Sequence, residues 1–151
     1  MPMLPLSAAN LPEFERRIHA VRPDSARRWG SLEPAAMLNH LMYAVKLSLE
    51  EVNEKYIGNF ATRHIVRRIA FHTPLPWPKG LKTPPSFTQA PSVPIDEIRA
   101  QLLDKMKRFT ETAAREPNRK TLHPMFGMLT LRYWQRVHGK HFNHHFTQFC
   151  V

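Results

Sequence analysis

At 151 residues, 42% hydrophobic and 23% charged, the chain is sized for one domain, residues 1–151, that can bury a real core. A mean hydropathy of −0.43 and the lack of any run near the roughly 20 apolar residues of a span argue against a membrane protein, and MPMLPLSAAN is too short and Pro-broken for a signal peptide. The net charge of +10 comes with neither a nucleic-acid motif nor a Gly-rich phosphate loop, while Cys150, the single cysteine, excludes an internal disulfide and a cysteine zinc cage and suits a reducing cytoplasm.

The first helix is expected over about Leu11 to Val21, with Leu11, Phe14, Ile18 and Val21 on one face. The second, in SLEPAAMLNHLMYAVKLSLEEV, takes Ser31 as N-cap and Pro34 in its first turn, and runs to about Glu51. Its polar stripe is Asn39, Lys46, Glu50 and Asn53. His40 lies roughly 100° away from that stripe and shares the inward side with Ala36, Met37, Ala44 and Leu47. A shorter helix over about Asn59 to Phe71 is expected to pack through Phe60, Ile65, Val66 and Ile69. Arg63, Arg67 and Arg68 form its basic side, either a solvated face or a phosphate patch.

In TPLPWPKGLKTPPSFTQAPSVP the prolines at 74, 76, 78, 84, 85, 91 and 94 forbid helix and most sheet. Trp77 and Phe87 should pack this stretch down, either over one mouth of a site or simply between two helices. A clean amphipath follows over about Ile95 to Ala114, with Ile95, Ile98, Leu102, Met106, Phe109 and Ala113 in one arc and Asp96 and Glu97 in the first turn. REPNRKTLHPMFGML reads as an irregular crossing with no strand, where His123, preceding Pro124, is expected to anchor a loop, with lining of the site mouth as the other reading.

The last helix runs from an N-cap at Thr130 to about Phe149. Trp134, His138, His141, His145 and Phe149 fall on its inner stripe, with Leu131 and Val137 at the edges. Arg132, Arg136, Lys140 and Asn143 fall on the outer side. Nine histidines in 151 residues make roughly half an i,i+4 pair expected by chance, so spacing alone decides little. Placement decides more. His141 and His145 point the same way into the core, where each ring nitrogen needs a partner. With His40 facing them from the second helix they make a three-histidine set. Such a set leaves part of a metal's coordination sphere free, as in a catalytic rather than a structural site.

The other histidines carry blander readings. His138 and His144 flank the pair as core and edge residues, and His19, His64 and His72 belong to the surface or its boundary. Trp29 and Trp134 are core. No Ser–His–Asp or Cys–His arrangement exists, and no carboxylate is visible beside the three histidines, so metal-bound water or a thiol is left as nucleophile. Four main helices and a short one give an all-α four-helix bundle with a long Pro-rich connection.

RRWGSLEPAAMLNHL near the start, and HPMFGMLTLRYWQ with HFNHHFTQF at the end, resemble the DinB/YfiT-like metalloenzyme superfamily, and within it a bacterial domain family of unknown function. The resemblance implies a DinB-like four-helix bundle, often a homodimer, with one divalent metal ion on His40, His141 and His145. It also implies a metal-dependent enzyme of the thiol-dependent S-transferase or isomerase type, using a low-molecular-weight thiol. A hydrolase on the same centre is the other possibility. Zn²⁺ is the expected ion, with Ni²⁺, Fe²⁺ and Mn²⁺ as competitors. A small-molecule substrate is expected, with neither membrane nor nucleic acid as partner. The alternative is a non-catalytic basic bundle that binds nucleic acid or a protein partner.

Overall fold

The four segments with the clearest apolar periodicity are helices in the computed structural model, which describes residues 3–77, 79 and 83–151. Pro78, and Met1 and Pro2 of the opening segment, lie outside them. Helix α1 spans Leu11–Ala20 and buries Phe14 and Ile18. Helix α2 spans Pro34–Ser48, α4 spans Ile95–Arg115 and α5 spans Leu131–Gln148. A π-helical turn, Thr62–Val66, runs directly into α3, Arg67–His72. The fold is mainly α. Helix α2 packs against α4 and α5, and α1 closes over the same two helices.

The termini of these helices have local causes. Thr130 caps α5 by accepting the Tyr133 N–H at 3.1 Å. Asn59 and Thr62 bond each other's backbone N–H and start the short helix. Helix α2 departs from expectation at both ends. Ser31 is exposed and does not cap, because Glu33 is the residue that precedes Pro34. The helix stops at Ser48, because Glu50 turns left-handed (φ 60°) and the Glu51 N–H closes back on the Lys46 carbonyl at 3.0 Å.

Inside α4, Ile98, Leu102, Met106, Phe109 and Ala113 are buried as the periodicity dictates. They meet Met37, Leu38, Leu41 and Val45 of α2 and Trp134, Phe142 and Phe146 of α5 in one core. Gly139 admits the N-terminal segment to this assembly. A Cβ there would stand 2.1 Å from the Leu4 carbonyl oxygen, so only glycine lets the chain cross α5 and bury Leu6.

Three expectations are corrected. First, the crossing before α5 is not strand-free: β1, Lys120–His123, pairs antiparallel with β2, Gly127–Thr130, in the register Lys120↔Thr130 to His123↔Gly127. Thr121 and Leu129 point into the core from this hairpin, so the chain is mainly α rather than all-α.

Second, the face of Phe60, Ile65, Val66 and Ile69 is exposed, not packed, with Phe60 at 75% and Ile65 at 53%. The i→i+5 bonding of the π turn shifts the helix phase, and Phe71 faces the core instead. That orientation is held by the Tyr133 hydroxyl on the Arg67 carbonyl at 3.3 Å. Arg67 is consequently half-buried beside Tyr133 and leaves the solvated side to Arg63 and Arg68.

Third, Lys140 is buried. Its ammonium donates to the Ala70 carbonyl, and burial lowers its pKa.

His138 sits wholly in the core between Trp134 and Phe109. Ser48 Oγ donates to the Val45 carbonyl at 2.7 Å, so it must accept from His138 Nε2–H at 2.9 Å. Burial pushes the His138 pKa down to about 3, and that of His123 likewise to about 3. The unfolded chain takes these protons near pH 6.5. The stability that depends on neutral rings is therefore complete above about pH 6.5 and declines as pH falls towards 3. Urea unfolding of the metal-free protein should lose stability between about pH 6.5 and 5, above most carboxylate titration, at up to about 1.4 kcal/mol per pH unit per buried histidine. His138→Phe should shallow that slope by about one proton. A pH-independent midpoint over this range would contradict the assignment.

Candidate metal centre

Helix α2 presents His40 and α5 presents His141 and His145 to one point. Their candidate ligand nitrogens all lie within 4.8 Å of one another. The ring centroids form a nearly equilateral triangle, with sides of 4.7, 4.8 and 5.0 Å. His40 and His145 are buried and His141 is half-buried, and all three line a cleft of about 690 Å³. The expected set of three is thus brought together.

The hydrogen bonds settle which nitrogen of each ring is available. His40 Nδ1–H donates to the Phe87 carbonyl at 3.0 Å, which leaves Nε2 with a lone pair. The Gln148 amide donates through Nε2 to the Trp29 carbonyl at 2.7 Å, so its Oε1 faces His145. His145 must then donate to it from Nδ1 at 2.8 Å, and its Nε2 is also free. Gly30 makes this relay possible. It adopts φ +80°, and a Cβ there would stand 2.6 Å from Gln148 Nε2. The glycine of RRWGS is needed for the backbone to come this close.

His40 Nε2 and His141 Nε2 are 2.7 Å apart, an N–H···N hydrogen-bond distance. The His40 proton is on Nδ1, so His141 carries its proton on Nε2 and donates. Two nitrogens on one tetrahedral zinc stand about 3.3 Å apart. Taking an ion therefore needs a small separation of these rings and transfer of the His141 proton to Nδ1. The donor set fits a divalent ion of the zinc type: three neutral imidazoles, two of them already oriented by carbonyl oxygens.

Neutrality is enforced by burial. It pushes His40 down to about 4, against the raising effect of the Phe87 carbonyl. Burial first, then the neighbouring His40, pushes His145 to about 3. His141 is lowered well below the ordinary range by burial, with His40 and His145 adding to it. All three rings are therefore neutral at neutral pH, as ligands must be.

The cleft walls are mostly apolar, with Trp29, Trp77, Phe87, Met125 and Val137 among them. Trp77 and Phe87 come from the Pro-rich stretch, which settles its role: it lines the site. Its short 3-10 turn, Pro85–Phe87, carries the carbonyl that orients His40. The only carboxylate lining the cleft among the described residues is Glu33, and Arg27 engages it at 2.7 Å.

The remaining histidines stay outside the triad. His123 Nδ1 accepts the backbone N–H groups of Met125 and Phe126 at 3.1 and 3.3 Å, which makes it the loop anchor expected from its place before Pro124. It also lines the cleft. His144 is half-buried, edge-on to Trp29 at 5.6 Å. Trp29 is half-buried in the cleft wall rather than in the core, while Trp134 is core. Cys150 is exposed, with its sulfur 3.1 Å from Arg28 Nε.

Sequence reasoning missed Gln148 and the Phe87 carbonyl. Gln148 stands three residues after His145, a spacing that puts the two side chains together on a helix, so a signal existed. A backbone carbonyl in a Pro-rich stretch carries none.

Residues 5–150 match the model of a family described as protein of unknown function DUF1569, and the chain belongs to that family. No curated protein and no solved structure matches it.

If Gln148 orients His145, Gln148→Ala should weaken zinc binding about 10- to 100-fold in competition with a chromophoric chelator. His144→Ala should leave the affinity unchanged. Equal affinities for wild type and Gln148→Ala would remove Gln148 from the site.

Proposed function

We propose that this DUF1569 chain holds one divalent metal ion on His40, His141 and His145 and works as a metal-dependent enzyme on a small molecule. The reaction is a thiol-dependent S-transfer or isomerisation, with hydrolysis as the other chemistry open to the same centre. In this reading α1, α2, α4 and α5 form a DinB-like four-helix bundle with the ion in its core. The observation that carries the proposal is the paired orientation of His40 and His145. Each spends its Nδ1–H on a carbonyl oxygen and turns an Nε2 lone pair into the space they share, where that of His40 accepts from His141. A buried cluster kept only for packing would leave no lone pairs converging.

Zn²⁺ is the default occupant, and Ni²⁺, Fe²⁺ and Mn²⁺ compete for an all-nitrogen site of this kind. When bound, such an ion polarises a substrate oxygen and lowers the pKa of a thiol or water that it holds. The chain does the rest. All three histidines line the cleft, so the centre is reachable from there. Trp29, Trp77 and Phe87 shed water from the walls and take the apolar part of a substrate. A low-molecular-weight thiol suits a cleft whose lining, among the described residues, includes no cysteine and whose one carboxylate, Glu33, is engaged by Arg27. The competing reading is a structural staple between α2 and α5; the cleft against His141 favours the open, reactive form.

Protein purified without an affinity tag should carry about one divalent ion per chain by elemental analysis. His141→Ala and His145→Ala should each abolish tight binding. Full metal retention by the double variant would overturn the site assignment.

A further inference from the structure

Two long stretches of the chain, residues 55–95 and 117–151, contain no Asp or Glu and carry eleven Lys and Arg. The remaining residues carry the other eleven Lys and Arg together with all twelve Asp and Glu. The whole excess of +10 therefore resides in the two carboxylate-free stretches. These lie against each other: the backbone N–H groups of Ile57 and Gly58 donate to the Pro124 carbonyl at 2.8 and 3.1 Å, and Arg67 reaches the Phe126 carbonyl.

The same stretches hold nearly all of the exposed large hydrophobics. Ile57, Phe60, Ile65, Ile69 and Leu75 are each at least half exposed, and Tyr56, Val66 and Met128 nearly so. Among the described residues only Met3 and Leu4 lie elsewhere. Arg63 and Arg68 stand among these apolar groups, and Lys55 precedes them. None of the three takes part in an ion pair among the described residues. A helix that turns its apolar residues outward and sets them in unpaired cations is unusual on a protein facing only water.

The chemistry narrows the partner. The cations call for anions. Ile57, Ile65, Ile69 and Leu75 call for hydrocarbon, which a nucleic acid lacks. A second copy related by a two-fold axis would bring Arg63 and Arg68 against their own equivalents with no carboxylate between them. An anionic lipid leaflet supplies both phosphate and hydrocarbon.

We propose that this face seats the protein on an anionic lipid surface, with Phe60, Ile65, Ile69 and Leu75 entering the headgroup layer and Lys55, Arg63 and Arg68 meeting lipid anions. The contact is peripheral: no helix among the described residues is long and apolar enough to cross a membrane. The proposal departs from the expectation of no membrane partner. Ile57 belongs both to this face and to the cleft lining, so the cleft opens beside the lipid contact. The proposal does not depend on the metal.

Flotation of the full chain with vesicles of pure phosphatidylcholine, and with vesicles containing about one-third phosphatidylglycerol, at roughly 0.1 M salt tests it. Binding to the anionic vesicles should be at least about tenfold tighter. Ile65→Asp/Ile69→Asp and Arg63→Gln/Arg68→Gln should each weaken it about tenfold or more, with circular dichroism and metal content unchanged. Equal or absent binding to both vesicle types would overturn the proposal. So would a dimer that Ile65→Asp/Ile69→Asp dissociates and that binds no vesicles. Tight capture of single-stranded RNA that survives the aspartate substitutions would likewise give the face to a nucleic acid.

Discussion

Three neutral imidazoles brought to one point, two of them buried and one half-buried, constrain everything around them. Each ring nitrogen withdrawn from water needs a partner or a ligand, and the neighbouring backbone is arranged accordingly. The Pro85–Phe87 turn delivers a carbonyl to His40, and Gln148 links His145 to the Trp29 carbonyl. Gly30 takes a left-handed conformation so that this last approach can be made. Segments distant in sequence are therefore tied to the same small volume between α2 and α5. Removing one tie frees a ring to rotate or leaves a buried polar atom unmatched, which is costly in either case.

The contrast with His138 is instructive. It lies on the same stripe of α5 and is buried more deeply, yet its bonded nitrogen faces Ser48 and aromatic rings surround it on other sides. Burial and helix face are shared by a ligand and a packing residue. What separates them is whether the ring's second nitrogen points towards the ring nitrogens of other histidines. His123 makes the same point from the hairpin, where its Nδ1 is consumed by two backbone amides.

Much of this was legible in the residues. The 3.6-residue period located α1, α2, α4 and α5 closely, and the inward angles of His40, His141 and His145 selected the triad from nine histidines. The failures have physical reasons. Each strand of the hairpin is four residues long, too short for a period of two to show, so KTLH and GMLT read as irregular chain. Phe60, Ile65, Val66 and Ile69 declare an amphipathic helix, but periodicity does not say whether the apolar side meets the core or the outside, and the π turn rotates it outward. Lys140 was placed in water because it is charged, whereas its long stem lets the ammonium reach the Ala70 carbonyl from within. Partners supplied by backbone carbonyls leave no trace in residue identity.

The central claim is an open three-histidine centre, and cobalt reports on it most directly. With Co²⁺ bound in place of the native ion, adding a small thiol should raise a sulfur-to-metal charge-transfer band, because a vacant position takes the thiolate. His40→Ala should remove or shift that band, since His40 alone ties α2 to the α5 pair. A cobalt spectrum that ignores every thiol and competing anion would mean a closed site, and the reactive centre would have to be given up for a structural one.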